Sequence, residues 1–142
     1  MAEALKEAEA AYASCEVPIG AVIVADGHII GRGHNMTQAL GDVTAHAEII
    51  AITAASIDSG KYLSNATIYV TLEPCIMCAG AIGWSHIKRI VYGASDKKRG
   101  YTTFLNSETS PFHPHTIIES GVMEEECRTL LLNFFQRKLR GR

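Results

Sequence analysis

Apolar positions along the chain recur with two different periods, and the points where one period gives way to the other divide it into alternating elements. Residues 2–14 are strong helix formers with Leu5, Ala8 and Tyr12 on one face, which predicts an N-terminal helix. The stretch "IGAVIVADGHIIGRGHN" then holds two apolar runs around Asp26-Gly27, a dipeptide suited to positive φ, and predicts a β-hairpin. A second helix is expected through "AHAEIIAITAASI", with Asp42 or Thr44 as its cap and a stop near Gly60. The β-branched run "ATIYVTL" reads as a buried strand, and Pro74 suits the first turn of a short helix carrying Cys75 to about Trp84. "KRIVYGA" and the shorter "HTIIES" read as further strands. "MEEECRTLLLNFFQRKL" closes the chain as an amphipathic helix, with Phe134 and Phe135 expected in the core beside Leu130, Leu131 and Leu132. Strands alternating with helices predict a layered α/β sandwich.

Composition narrows this picture. At 142 residues and 47% hydrophobic, the chain is long enough to bury a core and falls within the usual size of one domain, so residues 1–142 are expected to form a single domain. No stretch approaches the roughly 18 consecutive apolar residues of a membrane-spanning helix. The opening "MAEALKEAEAAYA" is acidic and helix-patterned, unlike a secretory signal. Four Cys in a chain without an export signal point to a metal site or free thiols, hence to a reducing, cytoplasmic setting. A net charge of −2 excludes binding to nucleic acid through bulk positive charge. Basic residues nevertheless gather at Lys88-Arg89, at Lys97-Lys98-Arg99 and at Arg137, Lys138, Arg140 and Arg142, and these patches are either ordinary solvated faces or a local surface for an anionic partner.

The candidate chemistry lies in two short stretches. His46 and Glu48 stand near the start of one predicted helix, and Cys75 and Cys78 at the start of another, so both pairs can face a common point. Imidazole and thiolate ligands fit Zn²⁺, and three protein ligands leave one tetrahedral position for water, as in a catalytic rather than a structural zinc site. Glu48 is then free to act as general acid and base, moving protons between that water and a substrate. A duller arrangement would complete a structural site with Cys15 or Cys127, which otherwise read as buried free thiols. His113 and His115 form a His-x-His pair that reads as surface, or as a second metal site, and Trp84 reads as packing or as a stacking platform.

"HAE" followed by "PCIMC" matches the H-x-E…P-C-x-x-C signature of the zinc-dependent cytidine deaminase superfamily. Within it the chain resembles the bacterial tRNA adenosine deaminases of the TadA type, through "EVPIGAVIV", "RGHN", "DVTAHAEI", "YVTLEPCIMCAGAI", "RIVYGASD" and "GVMEEECRTLLLNFF". The resemblance implies a three-layer α/β/α fold around a mixed five-stranded sheet. It also implies one zinc per subunit on His46, Cys75 and Cys78, a bound water or hydroxide as fourth ligand, and Glu48 as proton shuttle. Asn35 matches a residue that hydrogen-bonds a flipped nucleotide, and Ile19 one that packs on the base. Asp96 matches a residue that contacts the preceding nucleotide, where a 2′-hydroxyl marks RNA, and Lys97 stands beside it as a further substrate contact. The implied reaction converts the wobble adenosine of a tRNA anticodon stem-loop to inosine, and the implied assembly is a homodimer. The bulky, basic segment "KKRGYTTFLNSETSPFHPH" and Gly83-Trp84 depart from the family pattern. They keep open a deaminase of free nucleobases or nucleosides such as guanine, cytosine or cytidine, and the third class is a zinc-stabilised binding module without catalysis.

Overall fold

A computed structural model describes residues 1–141. The chain forms α1 (Ala2–Ala13), β1 (Gly20–Ala25), β2 (His28–His34), α2 (Thr37–Leu40), α3 (Ala47–Ser59), β3 (Thr67–Leu72), α4 (Ile76–Trp84), β4 (Arg89–Ala94), α5 (Tyr101–Phe104), β5 (Ile117–Glu119) and α6 (Glu124–Arg140). The five strands make one sheet in the order β2-β1-β3-β4-β5. β1 runs antiparallel to β2 and β3, whereas β3, β4 and β5 are mutually parallel, so the sheet is mixed.

Local chemistry accounts for the hairpin. Asp26 and Gly27 both adopt positive φ, 51° and 76°, the conformation of a two-residue turn whose twist matches the strands it joins. Pairing then runs from Ala25–His28 at the tip to Gly20–His34 at the open end, with one irregularity at Ile23/Val24. β3 and β4 lie inside the sheet and are covered on both faces, which is why their sequences are nearly continuous apolar runs.

Helices cover both faces. The larger core joins Ala47, Ala51 and Ala55 of α3 and Ala79 and Ile82 of α4 to Ile23, Ile68 and Ile90 of the sheet. Burying each of these Ile side chains contributes about 1.5–3 kcal/mol. A second, smaller cluster places Leu5 of α1 and Cys127 of α6 against Ala94, with Leu72 and Leu130 around it. These are the three layers expected for the family. On the first face α3 lies unusually close to β2: a Cβ at Gly33 would stand 2.5 Å from the Ala47 carbonyl oxygen and 2.6 Å from the Ala51 nitrogen. No helix among the described residues is long and apolar enough to cross a membrane.

Several expectations need correction. α3 begins at Ala47 with His46 as its N-cap, and neither Asp42 nor Thr44 caps it. The Asp42 carboxylate instead accepts the Thr44 N–H (2.8 Å) and hydroxyl (2.7 Å), a local turn that competes with capping. Pro74 precedes the first helical turn rather than entering it, because Cys75 is the extended N-cap of α4 and pairs with Gly100. α2 and α5, four residues each, were not expected. On α6 only the stripe through Cys127, Leu130 and Phe134 meets the protein; Leu132 and Phe135 fall off that stripe and are 53% and 46% exposed. Cys15 is exposed at the end of α1, not buried, while Cys127 is buried as expected. Trp84 is 83% exposed. Of the basic C-terminal residues, Arg142 lies outside the described residues.

Candidate active site

The two helix starts bring the chemistry together. His46 is the N-cap of α3, Cys75 the N-cap of α4, and Cys78 lies in the first turn of α4. Neither N-cap side chain is used to cap its helix, so both project away from it toward a shared point. His46 Nδ1 stands 3.6 Å from Cys75 Sγ and 3.5 Å from Cys78 Sγ. All three ligand atoms lie within 4.8 Å of one another. Zinc bond lengths taken at a tetrahedral angle give a nitrogen–sulfur edge of about 3.6 Å, so donor set and spacing both fit that metal.

Electrostatics agree with that assignment. A hydrogen bond from Cys78, followed by one with His46, draws the Cys75 thiol down to about 4 against the opposing effect of burial. Cys78 is pushed in the other direction, first by sharing its proton with Cys75 and then by burial. The His46 imidazole is raised, chiefly by its hydrogen bond with Cys75. The pair therefore holds one thiolate readily, and the partial positive charge at the two helix N-termini favours it further.

Glu48 sits in the first turn of α3, one residue beyond Ala47, and is 4% exposed. It is not one of the clustered ligands. Desolvation pushes its carboxyl up to about 7, and the negative charge at Cys75 adds to this, while its own backbone N–H, His46 and Cys78 pull it partly back. A carboxyl with that value takes up and releases protons at neutral pH.

The other candidate residues lie at the same end of the sheet. Gly20 at the open end of the hairpin donates its N–H to Thr71 Oγ1 (3.1 Å) near the end of β3. Half-buried Ile19 accepts the Asn35 N–H (3.1 Å), and Met36 donates to the Ala45 carbonyl (2.9 Å), which carries Asn35 beside the start of α3. The Asn35 side chain is 6% exposed. Asp96 follows β4, parallel to β3, and its carboxylate accepts the N–H groups of Lys98 (3.0 Å) and Arg99 (3.1 Å). Lys97 is exposed on that turn. His113 and His115 lie elsewhere, exposed, with ring centroids 5.2 Å apart, and they do not join the metal cluster.

Two residues at this end were not read from the sequence. Glu16, buried, accepts the N–H groups of Gln38 (2.7 Å) and Ala39 (3.0 Å) and so fixes α2. Glu73, also buried, binds the segment after β4. Its sequence signal was an acid wedged between an apolar strand and Pro74 in "TLEPC".

A layered sheet that ends on one His, two Cys and a separate buried Glu defines a hydrolytic deaminase site. Residues 1–94 match the family model of the cytidine and deoxycytidylate deaminase zinc-binding region. The tRNA-specific adenosine deaminase of Bacillus subtilis (strain 168) is 46% identical over 143 residues, which cover 99% of this chain and 88% of that protein. A structure from a study of A-to-I editing by tRNA:A34 deaminases at the wobble position of transfer RNA superposes with a TM-score of 0.83 at 44% identity, covering 92% of this chain and 97% of the other. Guanine deaminase from Bacillus subtilis aligns at 41% identity and a TM-score of 0.63, over 66% of this chain and 61% of that one. The chain belongs to the cytidine and deoxycytidylate deaminase family and, within it, to the tRNA-specific adenosine deaminases.

Proposed function

We propose that the protein, as one deaminase domain over residues 1–142, hydrolyses the wobble adenosine of a tRNA anticodon loop to inosine, in the cytoplasm and as a homodimer. The observation that carries the chemistry is the buried Glu48 carboxyl beside the His46, Cys75 and Cys78 cluster. The substrate follows from 46% identity over nearly the whole chain to a tRNA-specific adenosine deaminase, against 41% identity over 66% of it to a guanine deaminase.

In this reading His46, Cys75 and Cys78 would hold one zinc per subunit, with a water as its remaining ligand. When bound, the metal supplies acidity, lowering the pKa of a water from about 15.7 to about 7. Glu48 accepts a proton from the water that attacks C6 of adenine and delivers it to N1. It then carries the second proton to the amino group, which leaves as ammonia while the C6 oxygen and the N1 proton remain in inosine. Burial of Glu48 keeps bulk water from taking its place. Ile19 packs on the flipped base, and the Asn35 amide hydrogen-bonds the nucleotide. Asp96 meets the preceding ribose, where the 2′-hydroxyl distinguishes RNA from DNA, and Lys97 faces the phosphates.

The test is inosine formation, read by mass spectrometry, on an anticodon stem-loop with adenosine at the wobble position, beside free adenosine, guanine, cytosine and cytidine. Inosine in the stem-loop alone is expected. Glu48→Gln is expected to lower turnover by about 10²–10⁴-fold while binding the same zinc. Ammonia released from a free base, with the stem-loop untouched, would replace this reading by that of a free-base deaminase. Unaltered turnover in Glu48→Gln would remove Glu48 from the chemistry.

A further inference from the structure

Glu73 follows the last residue of β3, and its N–H donates to the Ala94 carbonyl (2.8 Å), so the β3–β4 ladder runs one step beyond the strands. Its side chain is 4% exposed and turns into the segment after β4. One carboxylate oxygen accepts the Asp96 N–H (3.2 Å). The other accepts both the N–H (3.1 Å) and the hydroxyl (2.8 Å) of Thr102. Gly100 lies so close that a Cβ there would collide with the same oxygen. The next two residues join in: the Pro74 carbonyl accepts the Tyr101 N–H (2.9 Å), and Cys75 forms a bridge with Gly100.

Three consecutive residues, Glu73, Pro74 and Cys75, thus grip the segment from Asp96 to Thr102, and the third belongs to the metal cluster. Within the segment the remaining bonds are local. The Asp96 carboxylate bonds the Lys98 and Arg99 N–H groups, and the Thr103 hydroxyl donates to the Lys97 carbonyl (3.3 Å). Local bonds set the shape of the turn but not where it stands. Its place relative to His46, Cys75 and Cys78 depends on Tyr101, buried in the core at the far end of the segment, and on the residues that reach it from the end of β3, of which Glu73 does so with a side chain that spans both ends of the segment.

We propose that Glu73 is a positioning residue for substrate: its carboxylate holds the Asp96–Arg99 turn at the separation from the metal cluster that an entering RNA strand requires. The inference rests on the tRNA reading above. Glu73 touches no reacting atom, so its loss weakens substrate binding and leaves the chemical step intact.

The experiment compares the zinc-loaded full chain with Glu73→Gln, Glu73→Ala and Thr102→Val, each also combined with Asp96→Ala. Steady-state inosine formation on the anticodon stem-loop is measured together with amide hydrogen exchange over residues 95–103. KM is expected to rise about tenfold or more in Glu73→Ala, since a charged acceptor of three hydrogen bonds is removed. It should rise less in Glu73→Gln, which keeps one accepting oxygen, and least in Thr102→Val. Zinc content and kcat at saturating stem-loop should match the parent within about twofold, and the Asp96 and Thr102 amides should exchange faster in the same order as KM rises. Adding Asp96→Ala to Glu73→Ala should change KM much less than Asp96→Ala does alone, because both act through one turn.

Faster exchange without a change in KM, or KM effects that simply multiply, would overturn the proposal. So would a fall in kcat with KM unchanged. Should Glu73→Ala fail to fold or lose zinc, Glu73→Gln and Thr102→Val decide by the same criteria. A parent chain silent on the stem-loop but active on a free base would instead sink the tRNA reading and this proposal with it. That outcome differs from failure of Glu73 alone, in which the parent makes inosine and the variants equal it.

Discussion

Glu16, Glu48 and Glu73 are all almost completely buried, and they differ in what answers their charge. Glu16 receives backbone N–H groups of α2, and Glu73 receives two backbone N–H groups and a hydroxyl. Donors of that kind are what make a buried carboxylate tolerable. Glu48 has less: its own backbone N–H and Cys78 do not offset desolvation, and the carboxyl rises from 4.5 to about 7. In the metal-free protein that rise has a measurable cost. Through Glu48 the folded state holds a proton that the unfolded chain releases between pH 4.5 and about 7, so this group's contribution to stability falls as pH rises through that window and its full loss stands above it, opposite in sign to the contribution of the depressed Cys75 thiol. Glu48→Gln removes the Glu48 contribution and leaves that of Cys75 in place. The metal-free variant is expected to be more stable than its parent by about 3 kcal/mol near pH 8 and equal to it near pH 4, by urea unfolding at a series of pH values. A parent as stable as the variant at the higher pH would show that Glu48 is not buried without compensation. The desolvated carboxyl beside the metal cluster is therefore also a folding liability.

At the scale of elements, the contact that matters most to the site is that of α3 on β2. The Ala47 carbonyl and the Ala51 N–H lie over Gly33, and the first turn of α3 carries His46 and Glu48. Gly33→Ala is therefore expected to cost about 1–3 kcal/mol by overpacking, seen as a lowered thermal midpoint, and also to reduce zinc retention because α3 must lift. Normal zinc content in a destabilised Gly33→Ala chain would show that the helix start moves independently of its packing. The longer elements were legible because their periodicity extends over enough residues: α1, the Asp26-Gly27 hairpin, β3, β4 and α6 all fall within a residue or two of where the pattern puts them. Likewise, one His and two Cys at two helix starts suffice to signal a shared metal. What stayed hidden is tertiary. α2 and α5 are too short to show a period, and α2 is held by Glu16, more than 20 residues away in sequence. The start of α3 could not be read because Asp42 spends its carboxylate on Thr44. The exposure of Phe135 and Leu132 depends on which stripe of α6 meets α1 and the sheet, a choice that a run of apolar residues does not encode.

For the molecule as a whole, mixed topology gathers the site at one end. β3 and β4 run parallel and deliver Cys75 and Asp96 to the same end, while β1 and β2, running antiparallel, open there with Ile19 and Asn35. Apolar side chains on the surface remain uncovered, among them Val43, Ile57 and Trp84. A homodimer would cover such a surface. Light scattering coupled to size exclusion is expected to give twice the 15.4 kDa chain mass, and a single-chain mass with full activity would remove the dimer from the reading. The hairpin has one more consequence. Its Asp26-Gly27 tip stands about 20 Å from Ile19 and Asn35, the length of a six-residue strand. That makes the tip a handle. A fluorophore, a surface anchor or a whole guest domain spliced in there would stand clear of the end of the sheet that carries His46, Cys75 and Cys78, whereas the same cargo at Lys97 would stand beside it.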